Sequence, residues 1–149
     1  MLARLREFLT GPETTPEDDE EFTAPLAATM LLLEVAWADH DIAEDEIACI
    51  KEALQASWGL AGDAVESTIK RARELHDTSA GVYPFTRLLN ETCSRQERAD
   101  ILRHMWRLAR FDGNQHHYEE AAIRRISDLL YLSHGEFIAA KLAAPLKRN

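Results

Sequence analysis

The chain reads as an all-α protein, and three observations carry that reading. Apolar residues recur at spacings of three and four along most of the sequence, the period that lines one face of a helix. Ser94-Arg-Gln-Glu97 and Ser133-His-Gly-Glu136 are capping boxes, in which a hydroxyl and a carboxylate satisfy reciprocal orphan amides at a helix start. No window of alternating apolar and polar residues outlasts the helical reading, and Val, Ile and Thr are not clustered as strands require.

Residues 1–21 read as a short N-terminal helix followed by an acidic linker. Met1 to Thr10 carries two arginines among leucines, an apolar run too short and interrupted for a signal sequence or a membrane span. Gly11, Pro12 and Pro16 then combine with Glu13, Glu17, Asp18, Asp19, Glu20 and Glu21, the composition of a solvated segment. The helical domain is expected over residues 22–145. Its first helix follows Thr23, with Pro25 tolerated in the first turn and Leu26, Met30, Leu33 and Trp37 as an amphipathic stripe ending near Asp39. In the second, Ile47, Ile50, Leu54 and Trp58 keep the period until Gly59 supplies a stop.

Asp63 is placed to cap a third helix with Val65, Ile69, Ala72 and Leu75 inward, and Pro84 to Thr92 reads as a shorter fourth. A long helix runs from the Ser94 box to Phe111. Its partner runs from about His117 to Leu132, burying Ile123, Ile126, Leu129 and Leu130. The Ser133 box launches a last helix through Leu142, and Pro145 ends regular structure. Some seven helices with short connections predict a single compact bundle of antiparallel neighbours.

One stretch occurs twice. Glu34-Val-Ala-Trp-Ala-Asp39-His-Asp41-Ile-Ala-Glu-Asp-Glu46-Ile-Ala-Cys-Ile50 is matched, 73 positions later, by Arg107-Leu-Ala-Arg-Phe-Asp112-Gly-Asn114-Gln-His-His-Tyr-Glu119-Glu-Ala-Ala-Ile123. Ala36 meets Ala109, Asp39 meets Asp112, Glu46 meets Glu119 and Ile50 meets Ile123, while Asp41 faces Asn114. Each copy reads as helix, acidic turn, helix, so the bundle is expected to comprise two related helix-turn-helix halves in pseudo-twofold packing.

Seventeen basic and 26 acidic side chains leave a formal charge of −9, which repels phosphate backbones and argues against a nucleic-acid partner. The six linker acids account for most of it. Cys49 and Cys93 are too few and too far apart for a stapled secreted domain, so a reducing cytoplasm is expected and membrane attachment is not. The sequence leaves open protein partners and a homodimer.

Carboxylates on both sides of a tight turn can supply a hard cation with oxygen ligands. Asp39, Asp41 and Glu46 fit that description, and Asp112 and Glu119 repeat it with one charge fewer. His116 beside Asp112 and Glu119 adds the imidazole that zinc or manganese accepts. Calcium, manganese and zinc are therefore the candidate ions. An EF-hand is excluded, because its sixth and twelfth positions, which require Gly and Glu, hold Glu44 and Ile50 in the first copy and His117 and Ile123 in the second. The competing reading is that first-turn acids favour the helix dipole by about 0.3–1 kcal/mol each with no metal.

No nucleophile with a flanking base, Gly-x-Ser-x-Gly elbow or glycine-rich phosphate loop is present, so no catalytic residue is assigned. Cys49 reads as a small core residue, His104 as a surface residue, and Trp37, Trp58 and Trp106 as core.

The two acidic corners, together with Leu132-Ser-His-Gly-Glu-Phe-Ile-Ala-Ala-Lys-Leu142, resemble the TerB-like family named for tellurite-resistance proteins, over roughly Phe22 to Ala144. The resemblance implies a helical bundle of two related halves, a role in bacterial stress, and cation binding at acidic positions that fall here on Asp39, Glu46, Asp112 and Glu119. A related domain occurs in membrane-bound DnaJ-type co-chaperones. His40 stands in place of the family's usual glycine, and Asn114-Gln115 in place of an acidic-then-apolar pair. The function expected is a non-enzymatic domain that binds divalent cations in a stress response, and the alternative is a co-chaperone-like adaptor with no metal role.

Overall fold

The computed structural model describes residues 23–36, 44–78, 81–110 and 117–144. The expectations for residues 1–21, for Trp37 and for the turns carrying Asp39, Asp41, Asp112 and His116 lie outside the described residues. Seven helices and no strand are found among those described: α1 (Ala24–Ala36), α2 (Glu44–Trp58), α3 (Gly62–Thr78), α4 (Tyr83–Thr92), α5 (Arg95–Ala109), α6 (His117–Leu129) and α7 (His134–Ala143).

The first helix is not amphipathic. Every residue from Leu26 to Leu33 is at most 2 % exposed, as are Val35 and Ala36, because α1 is surrounded by α2, α3, α4, α5 and α6. Apolar residues occupy nearly every position of Ala-Pro-Leu-Ala-Ala-Thr-Met-Leu-Leu-Leu-Glu-Val-Ala, so there is no polar face to turn outward, and such a helix belongs at the centre. Thr29, the polar residue within that run, donates its hydroxyl to the Pro25 carbonyl at 2.7 Å and so loses no hydrogen bond by burial.

Helix α5 is the other hub, packing on α1, α2, α4, α6 and α7. Its contacts run parallel to those of α1: α1 touches α2, α3 and α6, and α5 touches α6, α7 and α2. Two ion pairs follow the same exchange. Glu34 on α1 meets Arg125 on α6 at 3.2 Å, and Arg107 on α5 meets Glu52 on α2 at 2.7 Å. Arg107 stands 73 positions after Glu34 and Arg125 stands 73 positions after Glu52, so one contact is made twice with its charges interchanged. Glu34 also accepts a hydrogen bond from His76 on α3 at 2.9 Å, if that ring nitrogen carries the proton.

The helix boundaries follow from local chemistry. Gly59 ends α2 at φ +61 with its amide on the Gln55 carbonyl. Both capping boxes are closed, Ser94 with Glu97 and Ser133 with Glu136. Asp63 lies within the first turn of α3 instead of capping it; the first backbone bond there runs from Val65 to the Ala61 carbonyl. Helix α6 stops short of Leu132. Leu132 donates to the Ser127 carbonyl and Tyr131 to the Asp128 carbonyl, each at 3.1 Å, the bond pair of a Schellman turn.

Tyr131 takes the left-handed position of that turn at φ 58 with its side chain 67 % exposed. A Cβ there is strained and the ring is mostly in water. Tyr131→Gly is therefore expected to raise the unfolding free energy by about 0.5–1 kcal/mol in urea titrations, and an unchanged or lowered midpoint would contradict it.

Glu136 does more than cap α7. It also accepts a two-pronged hydrogen bond from Arg95 at the start of α5, with Arg95 Nε at 2.8 Å. Arg95, and then the Ser133 amide, hold its carboxyl down to about 2. Glu34 is lowered as well, first by its hydrogen bond with His76 and then by Arg125. Folded-state values below the unfolded ones mean stability that is complete above the ordinary carboxylate range and drains away as pH falls through the folded values. The domain should lose stability on acidification from about pH 4.5 toward 2, and Glu136→Gln should flatten that slope in acid-unfolding curves.

Candidate functional site

The two acidic corners lie at the α1–α2 and α5–α6 junctions. Ala36 and Ala109, at 0 % and 5 % exposure, close the first helix of each, and a methyl side chain lets the following helix approach closely. Glu46 and Glu119 are each the third residue of the second helix, and one turn on Ile50 and Ile123 are both fully buried. The register read from the sequence therefore places Glu46 and Glu119 in equivalent positions. Their surroundings differ: Glu46 is half-buried, whereas Glu119 is 2 % exposed. Asp39, Asp41, Asp112 and His116 cannot be placed beside them, being outside the described residues. Among the described residues no group of three or more His, Cys, Asp and Glu is arranged to hold a metal ion.

The acids around the corners have distinct fates. Glu44 and Asp45 are exposed on the first turn of α2. Glu120 meets Lys141 of α7 at 3.3 Å, and the same Lys141 ammonium sits 5.1 Å from the centre of the Trp106 ring. Trp106 in turn packs edge-on against Phe137 at 5.3 Å. Arg110, the residue after α5, donates to the Lys141 and Ala144 carbonyls at 2.8 and 3.3 Å, so α7 is clamped against the second corner at both its side chains and its C-terminal end.

Cys49 is core, as its place in the stripe suggested: it is 4 % exposed, and burial pushes its thiol up to about 11. It is neither a thiolate ligand nor a ready nucleophile. Trp106 is core at 1 % exposure and Trp58 is half-buried. His104 was misjudged as a surface residue and is 6 % exposed. It lies between Ile101 and Leu108 at helical spacing, a signal for the inward stripe that outweighs its polarity. Burial, then Arg103 and Arg107, lower its basicity. It lines a small cavity at the far end of α2, beside Ser57 and Trp58.

A family model described as tellurite resistance protein TerB matches residues 25–142. The chain belongs to the TerB family. No curated protein and no solved structure matches the chain. The TerB match begins inside α1 and ends inside α7, so it takes in both corners and all seven described helices, and the all-α class is that of the TerB fold. Among the described residues of this TerB chain, no helix is long and apolar enough to cross a membrane.

Proposed function

We propose that this TerB-family domain is a non-enzymatic helical module whose acidic corners bind divalent cations, in a tellurite-resistance-like or general stress response. One observation carries the reading: Glu119, in register with Glu46, is 2 % exposed in the first turn of α6, directly after the segment bearing Asp112 and His116. A carboxylate at this place in the first turn also lies at the positive end of the helix dipole, where an oxygen donor to a cation is held close to the preceding turn. The protonated Cys49 thiol supports the non-enzymatic part.

Calorimetric titration with calcium, manganese and zinc tests this. Binding should weaken in Asp39→Asn with Glu46→Gln, and in Asp112→Asn with Glu119→Gln. At a cation concentration 100-fold above Kd, the wild type should gain about 2.7 kcal/mol of stability that chelator removes. No heat of binding, with unfolding indifferent to chelator, would remove the proposal.

A second reading, an adaptor that docks protein partners, draws on three exposed large apolar side chains, Tyr83, Tyr131 and Leu142 at 52 %, 67 % and 78 %. It would gain if chelator left the melting curve unchanged and if a captured partner were lost from Tyr131→Ser with Leu142→Ser. A second copy of the chain as that partner would appear as a dimer in sedimentation.

A further inference from the structure

A cleft of about 430 Å³ opens at the start of α1, at the other end of that helix from Ala36 and the first corner. Its size falls within the roughly 300–1,000 Å³ of small-molecule sites. Pro25 and Leu26 of α1 and Leu60 of the α2–α3 turn give it apolar walls, and Thr23, Ser67, Thr68 and Arg71 supply the polar groups. Those polar groups have one sign of charge: among the described residues no Asp or Glu lines the cleft, in a chain of formal charge −9. Arg71 is half-buried with its Nε out of contact with solvent, where its charge is screened less than at the surface. A guanidinium carries five N–H donors, enough to serve a ligand alongside a partner within the fold. Thr23 Oγ1 accepts from the Leu26 amide at 3.4 Å, which leaves the hydroxyl proton to be donated outward. Ser67 and Thr68 give their protons to the Ala64 carbonyl at 3.3 and 2.7 Å. The first turn of α1 bears no acidic side chain, so the positive end of its dipole reinforces Arg71.

We infer that this cleft binds a small organic carboxylate with an apolar body, of the medium-chain acyl class. Its carboxylate meets Arg71 and the Thr23 hydroxyl, and its chain lies against Pro25, Leu26 and Leu60. The planar guanidinium and a carboxylate match in a two-pronged hydrogen bond, which fixes the orientation of the ligand, while the apolar walls reward the chain for leaving water. A bare inorganic anion is disfavoured, because it would lose hydration on the sides those walls cover. A neutral amphiphile of the same length keeps the apolar contacts but forms no charge-assisted bond with the arginine.

The cleft shares no residue with the corners, which lets the two proposals fail separately. Octanoate, octanol and inorganic phosphate are each titrated into the full chain, with methyl signals followed by NMR and affinity by calorimetry. Octanoate should move the Leu26 and Leu60 methyl signals saturably. Octanol should bind at least tenfold more weakly, and phosphate should leave both signals where they are. Octanoate affinity should fall tenfold or more in Arg71→Gln, with octanol affinity unchanged, and should stay unaltered in Glu46→Gln with Glu119→Gln. Absence of saturable octanoate binding, equal affinity for octanoate and octanol, affinity unaltered in Arg71→Gln, or movement confined to methyls outside the cleft would overturn the inference. So would phosphate binding there as tightly as octanoate. Thermal unfolding checks each variant; if Arg71→Gln fails to fold, Leu60→Glu decides, since it sets a carboxylate against the ligand from a half-buried position in a turn and should weaken octanoate tenfold or more.

Discussion

Leu31→Ala should cost the domain about 3–5 kcal/mol, a large share of the roughly 5–15 kcal/mol that holds a domain of this kind together. Leu31 is 0 % exposed and lies in a helix enclosed by five others. Surrounding side chains pinned on every side cannot collapse into the space that three missing carbon groups would leave, so the cavity term is added to the lost transfer energy. Leu142→Ala, at a side chain 78 % exposed, should stay within about 0.5 kcal/mol. Urea unfolding of the pair, with equal slopes, measures the contrast. A loss below about 1 kcal/mol at Leu31 would mean that α1 is not the enclosed helix described above.

Arg98→Ala should be the next largest loss, about 2–3 kcal/mol. One guanidinium nitrogen of Arg98 donates both to the Leu130 carbonyl and to Asn90 Oδ1, the latter at 3.2 Å. Asn90 donates in its turn to the Leu129 carbonyl at 2.9 Å. The last carbonyls of α6 are therefore met by side chains from α4 and α5, where a helix end would otherwise leave them orphaned. Removing the arginine strands the carbonyl of Leu130, a residue with 0 % exposure. Arg98→Lys keeps the charge but not the planar fork, and should recover part of the loss. Equal unfolding midpoints for Arg98→Ala and the wild type would show that water serves that carbonyl equally well.

What was legible in the sequence was whatever short-range chemistry decides. Both capping boxes and the Gly59 stop are written in four or fewer neighbouring residues, and they stand where the spacing put them. The seven segments and their class follow from apolar period. The misreadings share a cause in tertiary surroundings. Helix α1 was read as amphipathic because Leu26, Met30 and Leu33 do fall on one face; its burial on all faces comes from the neighbours that Ala28, Leu31 and Leu32 also meet. The end of α6 was overshot because a tyrosine, not a glycine, takes the left-handed turn, held there by the bonds that Arg98 and Asn90 make from other helices. His104 was judged by its polarity although its position between Ile101 and Leu108 pointed inward. At the corners, the sequence set Glu46 and Glu119 at matching offsets, while the sharp difference in their exposure depends on what packs over each helix start.

The interchanged ion pairs bear on which surfaces recognise each other. Glu34 and Glu52 belong to the first helix pair and Arg107 and Arg125 to the second. Were the first pair to mate with a copy of itself in the same geometry, Glu34 would face Glu52; the second pair with its own copy would set Arg107 against Arg125. Only the unlike combination brings opposite signs together, so two segments of similar pattern carry a modest electrostatic bias toward closing on one another within a chain and against pairing like with like between chains.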